Sequence, residues 1–122
     1  MAILRESFED SHVPAAAGRL SFSVTASSRN LGPPIIALDG RVDMDSAGEL
    51  TDIVAEVLEE KPRTLIFDLS KVTFLGLAGI RVIDFARRAL PAGHSVVLRH
   101  PRPRARRMLR LTHTDKLCTI ED

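Results

Sequence analysis

The chain has no tryptophan and no tyrosine, and its aromatic content is five phenylalanines. A stacking platform for nucleic-acid bases therefore has little to be built from. One cysteine, Cys118, excludes an internal disulfide and any multi-cysteine zinc site. Its apolar surroundings point to packing, with a bridge between chains as the other use. His12, His94, His100 and His113 are scattered without ligand spacing, so no metal site is expected. Ser7, Ser11, Ser21, Ser23 and the other hydroxyls have no nucleophile elbow around them. No apolar run approaches the roughly 20 residues of a membrane helix, and the first residues do not set a basic region before an apolar one. The expectation is a soluble, cytoplasmic protein without membrane insertion, catalytic residues or cofactor.

What is present fits one domain of aliphatic α/β type: 122 residues, 44% hydrophobic. The net charge of +1 hides two opposed halves. Residues 1–60 carry four basic and eleven acidic groups, whereas residues 61–122 carry thirteen basic and five acidic. Such a dipolar surface suits the steering of a charged partner.

Residues 1–18 read as a loose N-terminal arm, and residues 19–122 as the domain. Residues 20–26 alternate apolar and polar, as a half-buried strand does. The turn at residues 29–34 leads to a second strand from Ile35 to about Val42, making a hairpin. Ser46 and Glu49 have capping-box spacing at the start of a helix, with Asp43 and Asp45 complementing its dipole. Ala47, Leu50, Ile53, Val54, Val57 and Leu58 form its apolar stripe, and Pro62 follows its end. Residues 64–69 suit a buried strand. A loop then delivers the chain to a helix over residues 77–90, with Gly79, Val82, Ile83, Ala86 and Leu90 inward. A fourth strand at residues 95–98 and a basic helix from Pro103 to about Leu111, carrying Ala105, Met108, Leu109 and Leu111, come next. Residues 117–120 are placed to close the sheet.

The junction at residues 76–79 is the informative point. Gly76, Leu77, Ala78 and Gly79 bring no acid, lysine or hydroxyl to a helix N-terminus, and the stretch is too short for a phosphate-binding glycine loop. An apolar docking knuckle is the reading those residues support, with packing of Leu77 and Ala78 beneath the helix as the plainer one.

The element order and three motifs resemble the STAS domain, the fold of bacterial anti-sigma-factor antagonists. Leu38-Asp39-Gly40-Arg41-Val42-Asp43-Met44-Asp45-Ser46-Ala47 is similar to the family's L-x-G-x-L-D-x-x-T-A. Phe67-Asp68-Leu69-Ser70-Lys71-Val72-Thr73-Phe74-Leu75 is similar to its D-L-S-x-V-x-F-M. Residues 101–117 resemble its last helix. The resemblance implies an α/β STAS-like domain with a mixed four- to five-stranded sheet and helices packed against it. It further implies a protein–protein interaction module that regulates transcription by binding an anti-sigma factor of the serine-kinase type, and it is compatible with a homodimer. The family usually continues D-S-x-G, with the serine accepting phosphate. Here Leu77 stands at that serine and Gly76 at the aspartate, so the phosphorylation switch is missing from its usual place. The partner-binding residues expected on this basis are Asp43, Asp45, Ser46, Gly76, Leu77, Ala78 and Gly79.

Two alternatives come from other classes. STAS domains also serve as regulatory subunits of membrane transport systems. The arginines at 99, 102, 104, 106, 107 and 110, with His100, offer a phosphate or nucleic-acid patch. Without a recognition helix or aromatics, that cluster reads better as a solvated face or a contact for an acidic protein.

Overall fold

The structure, a computed structural model, describes residues 20–25 and 32–122. The proposed arm, Ala26 and the first half of the hairpin turn lie outside them. Five strands lie side by side in chain order: β1 (Ser21–Thr25), β2 (Ile35–Val42), β3 (Thr64–Leu75), β4 (Ser95–Arg99) and β5 (Thr119–Glu121). β1 pairs antiparallel with β2, and the remaining pairs are parallel. Three helices make the parallel crossovers: α1 (Ala47–Leu58), α2 (Leu77–Ala89) and α3 (Pro103–Leu111). A single 3₁₀ turn (Thr114–Lys116) precedes β5.

All three crossovers step across the sheet in the same direction. Their common right-handedness puts the helices on one face, and the burial pattern agrees. Leu65, Phe67 and Leu69 of β3 belong to one buried cluster with Ile36 and Leu38 of β2 and Val96 and Leu98 of β4. Leu50, Ile53, Val54 and Leu58 of α1, Ile80, Val82, Ile83 and Ala86 of α2, and Ala105 and Leu109 of α3 complete it. The opposite face of the sheet carries a row by register that is polar except at Ala37: Ser23, Ala37, Asp68, Arg99 and Glu121.

Three details add to or depart from the sequence reading. β3 does not end at Leu69 but runs on to Leu75. Two bulges hide this extension, since between Ala37 and Asp39, and again between Gly40 and Arg41, β2 advances one residue fewer than β3. The period-two pattern breaks at each, so Leu69, Val72 and Leu75 are all buried although three residues apart. Gly40 opposes the bulged stretch with φ +114°, a backbone region that glycine enters freely. Leu111, one of the apolar residues carried by α3, is 65% exposed, because α3's one buried face is filled by Ala105 and Leu109. Leu117 is exposed as well, and β5 begins only at Thr119.

Cys118 is half-buried against the core, and burial pushes its thiol up to about 11. In the unfolded chain the same thiol ionises near the ordinary value of about 8.5. Stability is therefore undiminished by this group below about 8.5 and falls as pH rises from there through about 11. Chemical denaturation across that range should show the slope, and Cys118→Ala should flatten it. Alkylation of the folded protein at pH 8 should be slow compared with a free thiol.

Candidate docking corner

The site begins where two neighbouring parallel strands stop together. Val42 of β2 and Leu75 of β3 are register partners, and the Gly76 N–H donates to the Val42 carbonyl at 2.9 Å. The link between strand and helix is therefore Gly76 alone, in an extended conformation at the N-cap of α2. A Cβ on Gly76 would lie 2.9 Å from the Phe74 ring. The Arg41 guanidinium lies over that ring, 4.5 Å from its centre. A Cβ on Gly79 would meet Val42 Cγ1 and Leu75 Cδ1, each at 2.7 Å. Two glycines thus let the first turn of α2 seat directly on the ends of β2 and β3.

Between them the chain is turned outward. Leu77 is 62% exposed and Ala78 half-buried, while Gly76 and Gly79 are buried. Of the four residues singled out at this junction, two present a surface and two make the presentation possible. The helix N-terminus carries no acid in its first turn and no side-chain cap.

The adjoining turn after β2 is fastened by a reciprocal pair. Asp43 Oδ1 accepts from the backbone N–H groups of Asp45 (3.1 Å) and Ser46 (3.2 Å). The Asp43 N–H in return donates to Ser46 Oγ at 3.0 Å, and that hydroxyl donates to the Arg41 carbonyl at 3.0 Å. This is capping-box geometry, with Asp43 as the cap and Ser46 as its third residue. Ser46 makes no side-chain cap to α1, so the box expected from Ser46 to Glu49 sits three residues earlier. The reason is backbone geometry: Ser46 is already helical, with φ −100° and ψ −15°, and its hydroxyl points back into the preceding turn. Burial by itself would raise the Asp43 carboxyl, but the hydrogen bonds from Ser46 and Asp45 and the nearby Arg41 outweigh it and hold it below the ordinary value.

Ser46 is buried, so it stands behind the surface that Asp45 presents. Met44, which the sequence reading passed over, is 85% exposed on that same turn. A methionine between two aspartates in a capped turn was the available signal. The corner is therefore Leu77 and Ala78 on one side and Met44 and Asp45 on the other, hung from the paired strand ends. No His, Cys, Asp and Glu grouping among the described residues has the makings of a metal site, and no helix among them is long and apolar enough to cross a membrane.

The arginine-rich region is a separate feature. Arg99 pairs with Glu121 and Arg106 with Asp122, whereas Arg102, Arg104, Arg107 and Arg110 are exposed.

The fold and the sequence are similar to those of known proteins. The family model described as "Mlab, STAS domain" matches residues 25–119. The anti-sigma-F factor antagonist RsfB of Mycobacterium tuberculosis is 33% identical over 63 residues, covering 52% of this chain and 51% of that protein. The match thus spans about half the length of the curated relative. A crystal structure of an anti-sigma factor antagonist from Mycobacterium paratuberculosis superposes with a TM-score of 0.77 at 25% identity, over 88% of this chain and 90% of that one. Unphosphorylated SpoIIAA, an anti-sigma factor antagonist, shares the fold with a TM-score of 0.68 at 15% identity, over 83% and 88% of the two chains.

Two outcomes test the geometry. Gly79→Ala should destabilise the fold by about 1–3 kcal/mol in a denaturant titration, the usual cost of overpacking. The Asp45 and Ser46 amide resonances should report an Asp43 titration below the ordinary aspartate range. The turn stays fixed at higher pH and is released only as pH falls through that lowered value.

Proposed function

The chain belongs to the STAS domain family, and we propose that it is an anti-sigma-factor antagonist, binding an anti-sigma factor of the serine-kinase type through its exposed corner. It acts by contact and not by catalysis, in the cytoplasm where such a partner meets sigma factors. The observation that carries this reading is the 62% exposure of Leu77 at the first position of α2, with Met44 also exposed on the turn after the paired strand β2. Large apolar side chains held out at the rim of a buried core are what a docking partner can desolvate. Asp45 and Asp43 supply charge around that apolar centre. The similarity to RsfB and to the Mycobacterium paratuberculosis antagonist supports a sigma-factor role over the transport-subunit alternative.

Leu77 also fixes the regulatory character. With no hydroxyl at that position, phosphate cannot place close to two negative charges on the corner. The protein is a binder without the family's usual switch.

Binding should be measured with purified kinase-type anti-sigma factors from the same source, by calorimetry. Leu77→Asp should weaken the complex at least roughly tenfold, since it puts a charge where an apolar group is desolvated. Unchanged affinity would move the docking surface elsewhere. After incubation with the partner and ATP, mass spectrometry should find residues 76–79 unmodified. Phosphate on Ser70 or Thr73 would mean that the switch has been relocated.

A further inference from the structure

The outer side of α1 carries a regular acidic ridge. Asp45, Glu49, Asp52, Glu56 and Glu59 recur every three or four residues, the spacing that stacks side chains along one helical line. α1 contains no basic residue. Among the described residues no cation meets Asp45, Asp52, Glu56 or Glu59. Such a ridge works against the isolated helix, because like charges three and four apart repel. Glu56 and Glu59 also crowd the end where the helix dipole is already negative.

α3 is its complement. Arg104, Arg107 and Leu111 share one line at helical spacing, with Arg110 beside it and Arg102 just before the helix. None of these four arginines meets a carboxylate among the described residues. Both stripes carry exposed apolar groups at an end: Met44 at the start of the acidic ridge, and Leu111 and Leu117 at the far end of the basic one. Arg104 to Leu111 span about 10 Å at 1.5 Å per residue, so the basic stripe fits within the roughly 15 Å between Glu49 and Glu59.

We propose that the arginine stripe of α3 docks against the acidic ridge of α1 in a second copy of this chain. A nucleic acid would satisfy the arginines but would leave Leu111 and Leu117 facing phosphate, whereas a second copy offers both the charge and an exposed methionine. Met44 and Asp45 belong to the ridge and to the docking corner alike, so a docked copy covers the corner. That last step rests on the function proposed above; the self-association does not.

Sedimentation of the full chain separates these possibilities without any partner protein. At about 10 mM salt, where charges act over about 30 Å, species heavier than the monomer should appear, and about 1 M salt should weaken their association at least roughly tenfold. The triple variants R104E/R107E/R110E and D52K/E56K/E59K should each remain monomeric at low salt. Their equimolar mixture should associate again, because each then offers the other a stripe of opposite sign. If either triple variant loses its fold by circular dichroism, R104Q/R107Q should lower self-association by neutralisation alone. A wild type that stays monomeric at low salt, reversals that leave association unchanged, or a mixture that fails to restore it would each overturn the proposal. So would a monomeric wild type that instead binds a mixed-sequence DNA duplex in a salt-dependent way, since the arginines would then belong to a polyanion.

Discussion

The shared termination of β2 and β3 governs most of what this molecule presents to its surroundings. One backbone hydrogen bond, from Gly76 to Val42, ties the last residue pair of the two strands to the start of α2. Neither partner is a side chain, so the tie depends on nothing but chain geometry and the absence of a Cβ at two positions. Gly76 leaves room for the Phe74 ring, and Gly79 leaves room for Val42 and Leu75. With those clearances the helix begins immediately, and Leu77, just after Gly76, is turned outward. Leu77 is exposed because its neighbours are packed.

The same economy holds in the adjoining turn. Asp43 and Ser46 satisfy each other's backbone and side chain, which leaves the side chains of Asp45 and Met44 with no structural task there. Ser46 occupies the threonine position of the motif, where a hydroxyl buried against the Arg41 carbonyl does the fastening. The motif residues at both turns thus divide into those that fasten the chain and those left exposed. An apolar side chain there favours contact by shape and desolvation, while a hydroxyl offers a place for charge.

Much of this could be read from residue order. The alternation in β1, the stripes of α1 and α2, the crossover pattern and the position of the glycine-flanked junction all follow from spacing, and each stands in the structure where the spacing put it. The failures have specific causes. The end of β3 was illegible because bulges break the periodicity by which strands are recognised, and Lys71 and Thr73 look like loop residues when the phase is lost. The capping box was misassigned by three residues because Asp43-Met44-Asp45-Ser46 and Ser46-Ala47-Gly48-Glu49 both place an acceptor pair at the required spacing, and only backbone angles choose between them. The exposure of Leu111 and Leu117 is not written in composition, which cannot say when a short helix has already filled its single buried face. Met44 escaped notice because exposure belongs to the fold and not to the residue.

The two irregularities in β3 also act as a matched pair. Each inserts one residue on the same strand, so the first reverses the orientation of everything after it and the second reverses it back. Leu75 consequently points to the same side as Leu65, Phe67 and Leu69, as it would in an unbroken ribbon. Loss of one residue away from a bulge is a phase error delivered straight to the corner, exchanging Phe74 and Leu75 between faces. Loss of the extra residue at a bulge instead restores regular pairing with β2 and leaves both side chains where they are. The irregularities are thus the places where this strand tolerates a change of length.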